Sequence, residues 1–193
     1  MSESLWSATV DELLAKTASA EPTPGGGSVA AVCGALGVGL MQMALAVTDD
    51  EALEPEAIRL AGLRDTIAPV ADADVRDFGV LMTAFRMPRS DEAEKTARAE
   101  RIERASIAAT ETPLALADAL VAAVDLSREV EGRVKPGIRS DVLAGRDLTV
   151  GAARAAIRTA DINIAQLERL GSAAAAELRS RRDALAARLE EAR

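Results

Sequence analysis

Three carboxylates lie within six residues, at Asp72, Asp74 and Asp77. On a helix Asp74 and Asp77 are i, i+3 neighbours, whereas Asp72 points to another face. If one of them is buried beside an apolar helix, loss of solvation raises its pKa and allows proton exchange near neutral pH. If they are exposed, they form a solvated acidic face. The residues alone leave both interpretations open.

A glycine run precedes the most apolar stretch of the chain, residues 29–47, in which only Gln42 is strongly polar. Consecutive glycines are costly to order, so they indicate a close approach to the backbone or unusual dihedral angles. A serine N-cap after them would direct free N–H groups at a carboxylate or phosphate. A flexible connector is the alternative. The residues of this predicted anion site are Gly25, Gly26, Gly27 and Ser28.

A second candidate for anion recognition is the segment of residues 135–141. Its Pro-Gly turn presents Lys135 and Arg139 immediately before a predicted helix start, where Ser140 is placed to cap a helix beginning at Asp141. Two cations on a rigid turn suit a ligand carboxylate or phosphate. A capped helix with two solvated basic residues is the alternative.

Asn163 is a third candidate because it interrupts an otherwise apolar helical stretch. Its amide could make paired hydrogen bonds with a heterocyclic ligand, or it could satisfy a neighbouring backbone group.

Composition removes several kinds of chemistry. The chain of 193 residues has no histidine and one cysteine, Cys33, so we expect no Ser-His-Asp machinery and no metal site. Cys33 is interpreted as a small buried hydrophobe, and the absence of a possible internal disulfide favours the cytoplasm. With 23 basic and 31 acidic residues the net charge is −8, which argues against nucleic acid as a partner.

The elements that must position these residues are all predicted to be helices. Alanine is abundant, aromatic residues make up 2% of the chain, and tyrosine is absent, a composition that disfavours strands. We expect an all-α bundle, one domain over residues 1–193, with long antiparallel helices around a buried apolar helix. That helix has a length typical of a membrane span, but it is rich in alanine and glycine and lacks flanking basic residues, so no membrane association is predicted. Three glycines would allow close packing on it, namely Gly34, Gly37 and Gly39.

Local signals predict where the helices begin and end. The first is expected from Ser4 to Ala18, with Trp6, Val10, Leu13 and Leu14 on one face. Prolines predict a kink at position 69 and a bend at position 113, and Gly171 is expected to end a helix. The predicted helices cover residues 4–18, 29–48, 54–85, 91–131 and 141–170, with Thr149 placed to cap or restart the last of these, followed by a final C-terminal helix.

Seven short motifs, in order, resemble the cyclodeaminase domain of formiminotransferase-cyclodeaminase and the related methenyltetrahydrofolate cyclohydrolases. The resemblance covers nearly the whole chain and corresponds to the stand-alone form. The motifs are the glycine segment of residues 24–28, Asp72-Ala-Asp74 with Phe78, the Phe-Arg-Met-Pro of residues 85–88, Lys95, the Thr-Pro-Leu of residues 112–114, Arg139-Ser140-Asp141 and residues 162–164.

This resemblance implies an all-helical homodimer that binds a tetrahydrofolate derivative near the subunit interface, with no further cofactor. It implies that Asp74 is the catalytic general acid/base. The glycine segment with Lys135 and Arg139 would hold the pterin or the glutamate end of the substrate, and Ser140 is a further candidate for substrate contact. Asp72, Asp141 and Asn163 are weaker candidates for the site than Asp74 and the glycine segment. A single carboxylate with a shifted pKa can serve such chemistry without histidine or metal.

Two activities remain open, formimidoyltetrahydrofolate cyclodeaminase and methenyltetrahydrofolate cyclohydrolase, because both act on the same one-carbon centre. The alternative is a catalytically inert helical dimer that binds a folate-like or other anionic metabolite. Two departures from the family pattern keep this alternative open: a Gly-Asn pair is replaced around Val134 and Lys135, and an asparagine is replaced near Thr159.

Overall fold

The computed structural model describes residues 4–191; residues 1–3 and 192–193, the two ends of the predicted domain, lie outside it. Within residues 4–191 the regular elements are helices and no strand is present, which confirms the predicted all-α class. The α-helices are α1 (Val10–Thr17), α2 (Gly26–Thr48), α3 (Glu54–Ile67), α4 (Val70–Phe85), α5 (Glu92–Glu131), α6 (Arg139–Leu170) and α7 (Ala174–Glu191).

Helix α6 packs along both α2 and α5, and glycines make the α2–α6 approach possible. A Cβ atom on Gly37 would lie 2.7 Å from the Gly145 carbonyl oxygen, and one on Gly145 would lie 2.5 Å from that of Gly37. A Cβ atom on Gly34 would overlap the Leu120 side chain. The predicted packing role of Gly34 and Gly37 is therefore confirmed, whereas position 39 faces open space.

Helix α2 is buried along one face only. Val38 and Met41 are fully buried against the other helices, whereas Leu36, two residues before Val38 and on the opposite side of the helix, is 59% exposed. By length and composition α2 and α5 could each cross a membrane, but 50% and 61% of their most apolar windows are buried inside the protein. Such burial is what the core helices of a bundle show.

The N-terminal segment differs from the predicted helix of residues 4–18. A short 3-10 turn covers Leu5–Ser7, and a capping box between Thr9 and Glu12 then starts α1. The apolar residues of α1 are not buried, and Val10 is 82% exposed. The chain changes direction here because Thr9 adopts an extended backbone and its hydroxyl accepts from the Glu12 N–H.

Prolines and glycines account for the remaining boundaries. Pro69 separates α3 from α4, where the sequence predicted one kinked helix, whereas α5 continues through Pro113. Gly171 ends α6 in the left-handed conformation, as predicted. Helix α6 begins at Arg139, without the predicted Ser140 side-chain cap.

Candidate active site

A cavity of about 450 Å³ lies where the first turn of α2 meets α4, α5 and α6. This volume falls within the range of about 300–1,000 Å³ that is typical of small-molecule sites. Its wall combines apolar side chains with a few polar groups: Gly25, Gly26, Gly27, Asp74, Asp77, Phe78, Leu81, Thr112, Arg158, Thr159, Ile162 and Asn163 are among the lining residues.

Asp74 is anchored to the first turn of α2. Its Oδ2 accepts a hydrogen bond from the Ser28 N–H at 2.9 Å and another from the Ser28 hydroxyl at 2.7 Å. The helix is preceded by Gly25 as N-cap, so Ser28 lies inside the first turn and does not cap it as the sequence suggested. The helix N-terminus does bind a carboxylate, but that carboxylate is the protein's own.

The pKa of Asp74 is raised above its usual value. Burial is the main cause, the two hydrogen bonds from Ser28 act against it, and the negative charge of Asp77 raises it further. Burial disfavours the ionised form because the cavity wall replaces water around the carboxylate. Asp74 is thus poised to hold and release a proton closer to neutral pH than an exposed aspartate.

The three glycines of the segment have different roles. A Cβ atom at Gly27 would lie 2.6 Å from Asp74 Cγ, so any other residue here would have to displace the Asp74 carboxylate. Cβ atoms at Gly25 and Gly26 would meet their nearest neighbours at 3.5 Å, an ordinary contact. The N–H groups of Gly26 and Gly27 have no acceptor among residues 4–191, as expected in a first helical turn. Both residues also line the cavity.

Asp77 places a second carboxylate in the cavity wall. Its Oδ2 accepts a hydrogen bond of 2.6 Å from the Thr112 hydroxyl of α5. The Arg76 Nε atom lies 3.8 Å from Asp77 Oδ1. As the helical spacing predicted, Asp74 and Asp77 share a face. Asp72 points elsewhere and accepts hydrogen bonds from the Ser4 hydroxyl and the Leu5 N–H, which fix the N-terminal segment.

Asn163 satisfies a backbone group that Pro113 leaves without a donor. In α5 the Ala109 carbonyl would normally accept from the N–H of residue 113, and proline has none. Asn163 Nδ2 donates to this carbonyl at 2.7 Å instead. Of the two roles that the sequence left open, the structural one is therefore present. Since Nδ2 must face the carbonyl, the orientation of the amide in the cavity wall is fixed.

The predicted anion turn of residues 135–141 does not reach this cavity. Lys135 Nζ donates to the Val47 carbonyl at 2.8 Å, at the C-terminal end of α2. The 23 residues of α2 separate it from the glycine segment, a distance of about 34 Å at 1.5 Å per residue. The prediction that these cations join the glycine segment in one site is wrong within a single chain.

The polar residues of this turn bind other parts of the protein. Arg139 pairs with Glu131, which also accepts from Arg146 at 2.6 Å, and these guanidinium groups lower the pKa of Glu131. Ser140 and Asp141 lie at the start of α6, where the Ser140 hydroxyl is 3.4 Å from Asp141 Oδ2. The cations thus stabilise the end of α2 and the connection between α5 and α6.

Of the α6 residues in the cavity wall, sequence reasoning identified Asn163 as a site residue and noted the Thr159 position only as a departure from the family pattern. Arg158, Thr159 and Ile162 line the cavity together with Asn163. The spacing of these four residues places them on one helical face, and this periodicity around Asn163 was the available signal. Thr112 was also missed as a site residue, because its partner Asp77 is 35 positions away.

Fold and site together define an all-helical protein with a partly buried aspartate in an apolar cavity. A family model described as formiminotransferase-cyclodeaminase matches residues 9–184. The methenyltetrahydrofolate cyclohydrolase of Methylorubrum extorquens is 34% identical over 164 residues, which span 81% of this chain and 77% of that protein. The chain belongs to the formiminotransferase-cyclodeaminase family of folate one-carbon metabolism.

A solved structure shares the fold. The crystal structure of formiminotetrahydrofolate cyclodeaminase from Thermotoga maritima matches with a TM-score of 0.79 at 21% identity, over 96% of this chain and 91% of that one. The helical architecture is therefore that of a known enzyme, and the activity of this chain has to be argued from its own site.

Proposed function

We propose that this protein hydrolyses the methenyl bridge of 5,10-methenyltetrahydrofolate to give 10-formyltetrahydrofolate. The observation that carries this proposal is the partly buried Asp74 carboxylate, held by Ser28 in the cavity wall with its pKa raised. The 34% identity to a methenyltetrahydrofolate cyclohydrolase supports this reaction over others of the family.

Asp74 would move protons in both halves of the reaction. Water adds to the methenyl carbon as the Asp74 carboxylate takes one of its protons. The bond from that carbon to N5 then breaks as Asp74 returns the proton to N5. The remaining hydroxyl proton leaves to solvent and the formyl C=O forms on N10. The substrate cation and water thus give neutral N5–H, a formyl group and one released proton, so a single acid/base group suffices.

The charge of the cavity suits this substrate. The methenyl bridge is an amidinium cation, and the cavity wall carries Asp74 and Asp77. A bound cation would favour the ionised form of Asp74 and so offset the burial that raises its pKa. Asp74 would then be a carboxylate when water has to be deprotonated and, after accepting the proton, an acid when N5 departs.

The glycine segment would form a backbone wall of the substrate cleft. The free N–H groups of Gly26 and Gly27 are suited to an acceptor such as the pterin carbonyl. Phe78 and Leu81 supply apolar surface for the ring system. No metal or second cofactor is required by this scheme.

The test uses purified protein and the absorbance of the methenyl chromophore. Wild type should accelerate its loss from 5,10-methenyltetrahydrofolate, and Asp74→Asn should abolish most of this acceleration; Asp72→Asn is the matched control. Formation of the chromophore from 5-formimidoyltetrahydrofolate, with release of ammonia, would instead indicate the cyclodeaminase. A wild type that binds folate but is silent in both assays would support the inert alternative, and full activity in Asp74→Asn would overturn the role of Asp74.

We further propose that the protein is a cytoplasmic homodimer. A stripe of apolar residues at helical spacing remains uncovered along α2, with Leu36 59%, Met43 36% and Val47 48% exposed. Beside it lies an apolar hollow lined by Trp6, Gly39, Leu40 and Ala68. A contiguous apolar surface of this kind on a small protein favours association. A second copy is the occupant that we propose, since one helix face can pair with its own symmetry mate.

A further inference from the structure

We infer that Arg158 binds a carboxylate of the glutamate tail of the substrate and thereby sets how the substrate lies in the cavity. This inference rests on the proposed function, because it concerns the same cavity and a folate substrate. Arg158 is the only cation in the cavity wall described above.

Arg158 lacks a partner within the protein. Its guanidinium group makes no hydrogen bond or ion pair with any residue in the range 4–191. The other arginines of α6 all have one: Arg139 and Arg146 bind Glu131, Arg154 lies 3.9 Å from Glu190, and Arg169 binds Gln166. A guanidinium group without a carboxylate partner, at the edge of a ligand cavity, is suited to paired hydrogen bonds with a ligand carboxylate.

The position of Arg158 is that of a group at the cavity mouth. It is exposed, and it lines both the cavity and a neighbouring surface groove between α6 and α7. One turn further along α6, Ile162 is 70% exposed and also lines the cavity. The two side chains therefore lie on the same helical face, where Ile162 offers apolar contact to an aromatic linker and Arg158 offers charge beyond it.

The charges of the cavity set the direction of the substrate. A folate has an uncharged or cationic ring system at one end and a dianionic glutamate at the other. The inner wall carries Asp74 and Asp77, which would repel the glutamate and attract a methenyl cation. The glutamate is therefore directed toward Arg158 and the methenyl bridge toward Asp74, which is the orientation that the proposed hydrolysis needs.

The test compares two substrates, 5,10-methenyltetrahydrofolate and 5,10-methenyltetrahydropteroate, which lacks the glutamate. Arg158→Gln should raise KM for the glutamate-bearing substrate by about two- to fivefold, the range expected for loss of an exposed charge pair. KM for the pteroate and both kcat values should stay close to those of the wild type. Arg154→Gln, one turn earlier on α6 and outside the cavity wall, is the matched control and should change neither KM.

An equal change in KM for both substrates, or none, would overturn the role of Arg158 while leaving the proposed reaction intact. A calorimetric measurement of 5-formyltetrahydrofolate binding distinguishes failure of the proposed reaction from failure of the proposed tail site. If the wild type binds it without hydrolysing the methenyl compound, and Arg158→Gln weakens that binding, the proposed reaction fails and the tail site stands. If the wild type binds neither compound, both fail.

Discussion

Gly27 and Asp74 touch so closely that a side chain at position 27 would overlap the Asp74 carboxylate where it now lies. A Cβ atom there would lie 2.6 Å from Asp74 Cγ and 2.9 Å from Oδ2. The same Oδ2 accepts both hydrogen bonds from Ser28. The glycine therefore brings the first turn of α2 against α4, and the position of the Asp74 carboxylate depends on the absence of one methyl group.

Replacing this glycine should reduce activity. Gly27→Ala has to displace the Asp74 carboxylate and break its hydrogen bonds with Ser28, so we expect a loss in kcat on the order of 100-fold, as for misplacement of a reacting group by about 1 Å. Methenyl hydrolysis at saturating substrate measures it. Gly26→Ala is the control, because its Cβ atom would meet Thr159 Oγ1 at 3.5 Å. Equal losses in the two variants would contradict the steric explanation.

The raised pKa of Asp74 predicts a pH-dependent effect on stability. Folding favours the neutral form of the Asp74 carboxyl group. Its contribution to the free energy of unfolding is therefore complete below pH 3.8, the usual pKa of the group, and is lost as the pH rises through the raised pKa. Asp74→Asn cannot ionise. The Tm of the variant minus that of the wild type should therefore be greater at pH 7 than at pH about 3. A difference that does not change over this interval would contradict the raised pKa.

Asp77 should set part of the pH profile of activity. Its charge contributes to the raised pKa of Asp74, after burial. Asp77→Asn removes that charge, so the Asp74 pKa falls and the acid limb of kcat/KM moves to lower pH. The acid limb should still lie at a higher pH than that of an exposed aspartate, because Asp74 remains partly buried in the variant. Asp72→Asn, whose carboxylate binds Ser4 outside the cavity, should leave the limb in place; movement in that variant would point to a general charge effect.

Local patterns in the sequence predicted the parts of the site that lie within one or two turns of a helix. The i, i+3 spacing brings Asp74 and Asp77 to one face, and the glycine segment marks the start of α2 beside them. The contacts of residues 135–141 could not be predicted from local patterns. Their cations bind the Val47 carbonyl and Glu131, and these partners are set by the length of α2 and by the connection between α5 and α6.

Asn163 likewise combines a feature that the sequence predicts with a contact that it does not. The sequence identified it as a polar residue on an apolar helix, and Pro113 as a bend in α5. The relation between them spans 54 positions, from Asn163 to the Ala109 carbonyl. It appears only when α5 and α6 lie side by side, which tertiary packing decides.

A charge on the exposed face of α2 should prevent dimer formation. Leu36→Glu would place a carboxylate in the proposed apolar interface, where burying an unpaired charge weakens association by about tenfold or more. Sedimentation equilibrium measures the oligomeric state. Ile58→Glu on α3, which removes another apolar side chain that is 63% exposed, is the control. A wild type that is monomeric at micromolar concentration, or a Leu36→Glu protein that stays dimeric, would contradict the proposed interface.

The hydrogen bond from Asn163 to the Ala109 carbonyl should contribute more to stability when residue 113 is proline. Asn163→Ala leaves the carbonyl without a donor, which we expect to lower the free energy of unfolding by about 1–3 kcal/mol. In a Pro113→Ala background the N–H of residue 113 can donate to the Ala109 carbonyl, so the same Asn163→Ala change should cost less. Urea unfolding of the wild type, both single variants and the double variant gives the coupling energy. Equal costs in the two backgrounds would show that Asn163 stabilises the protein by another contact.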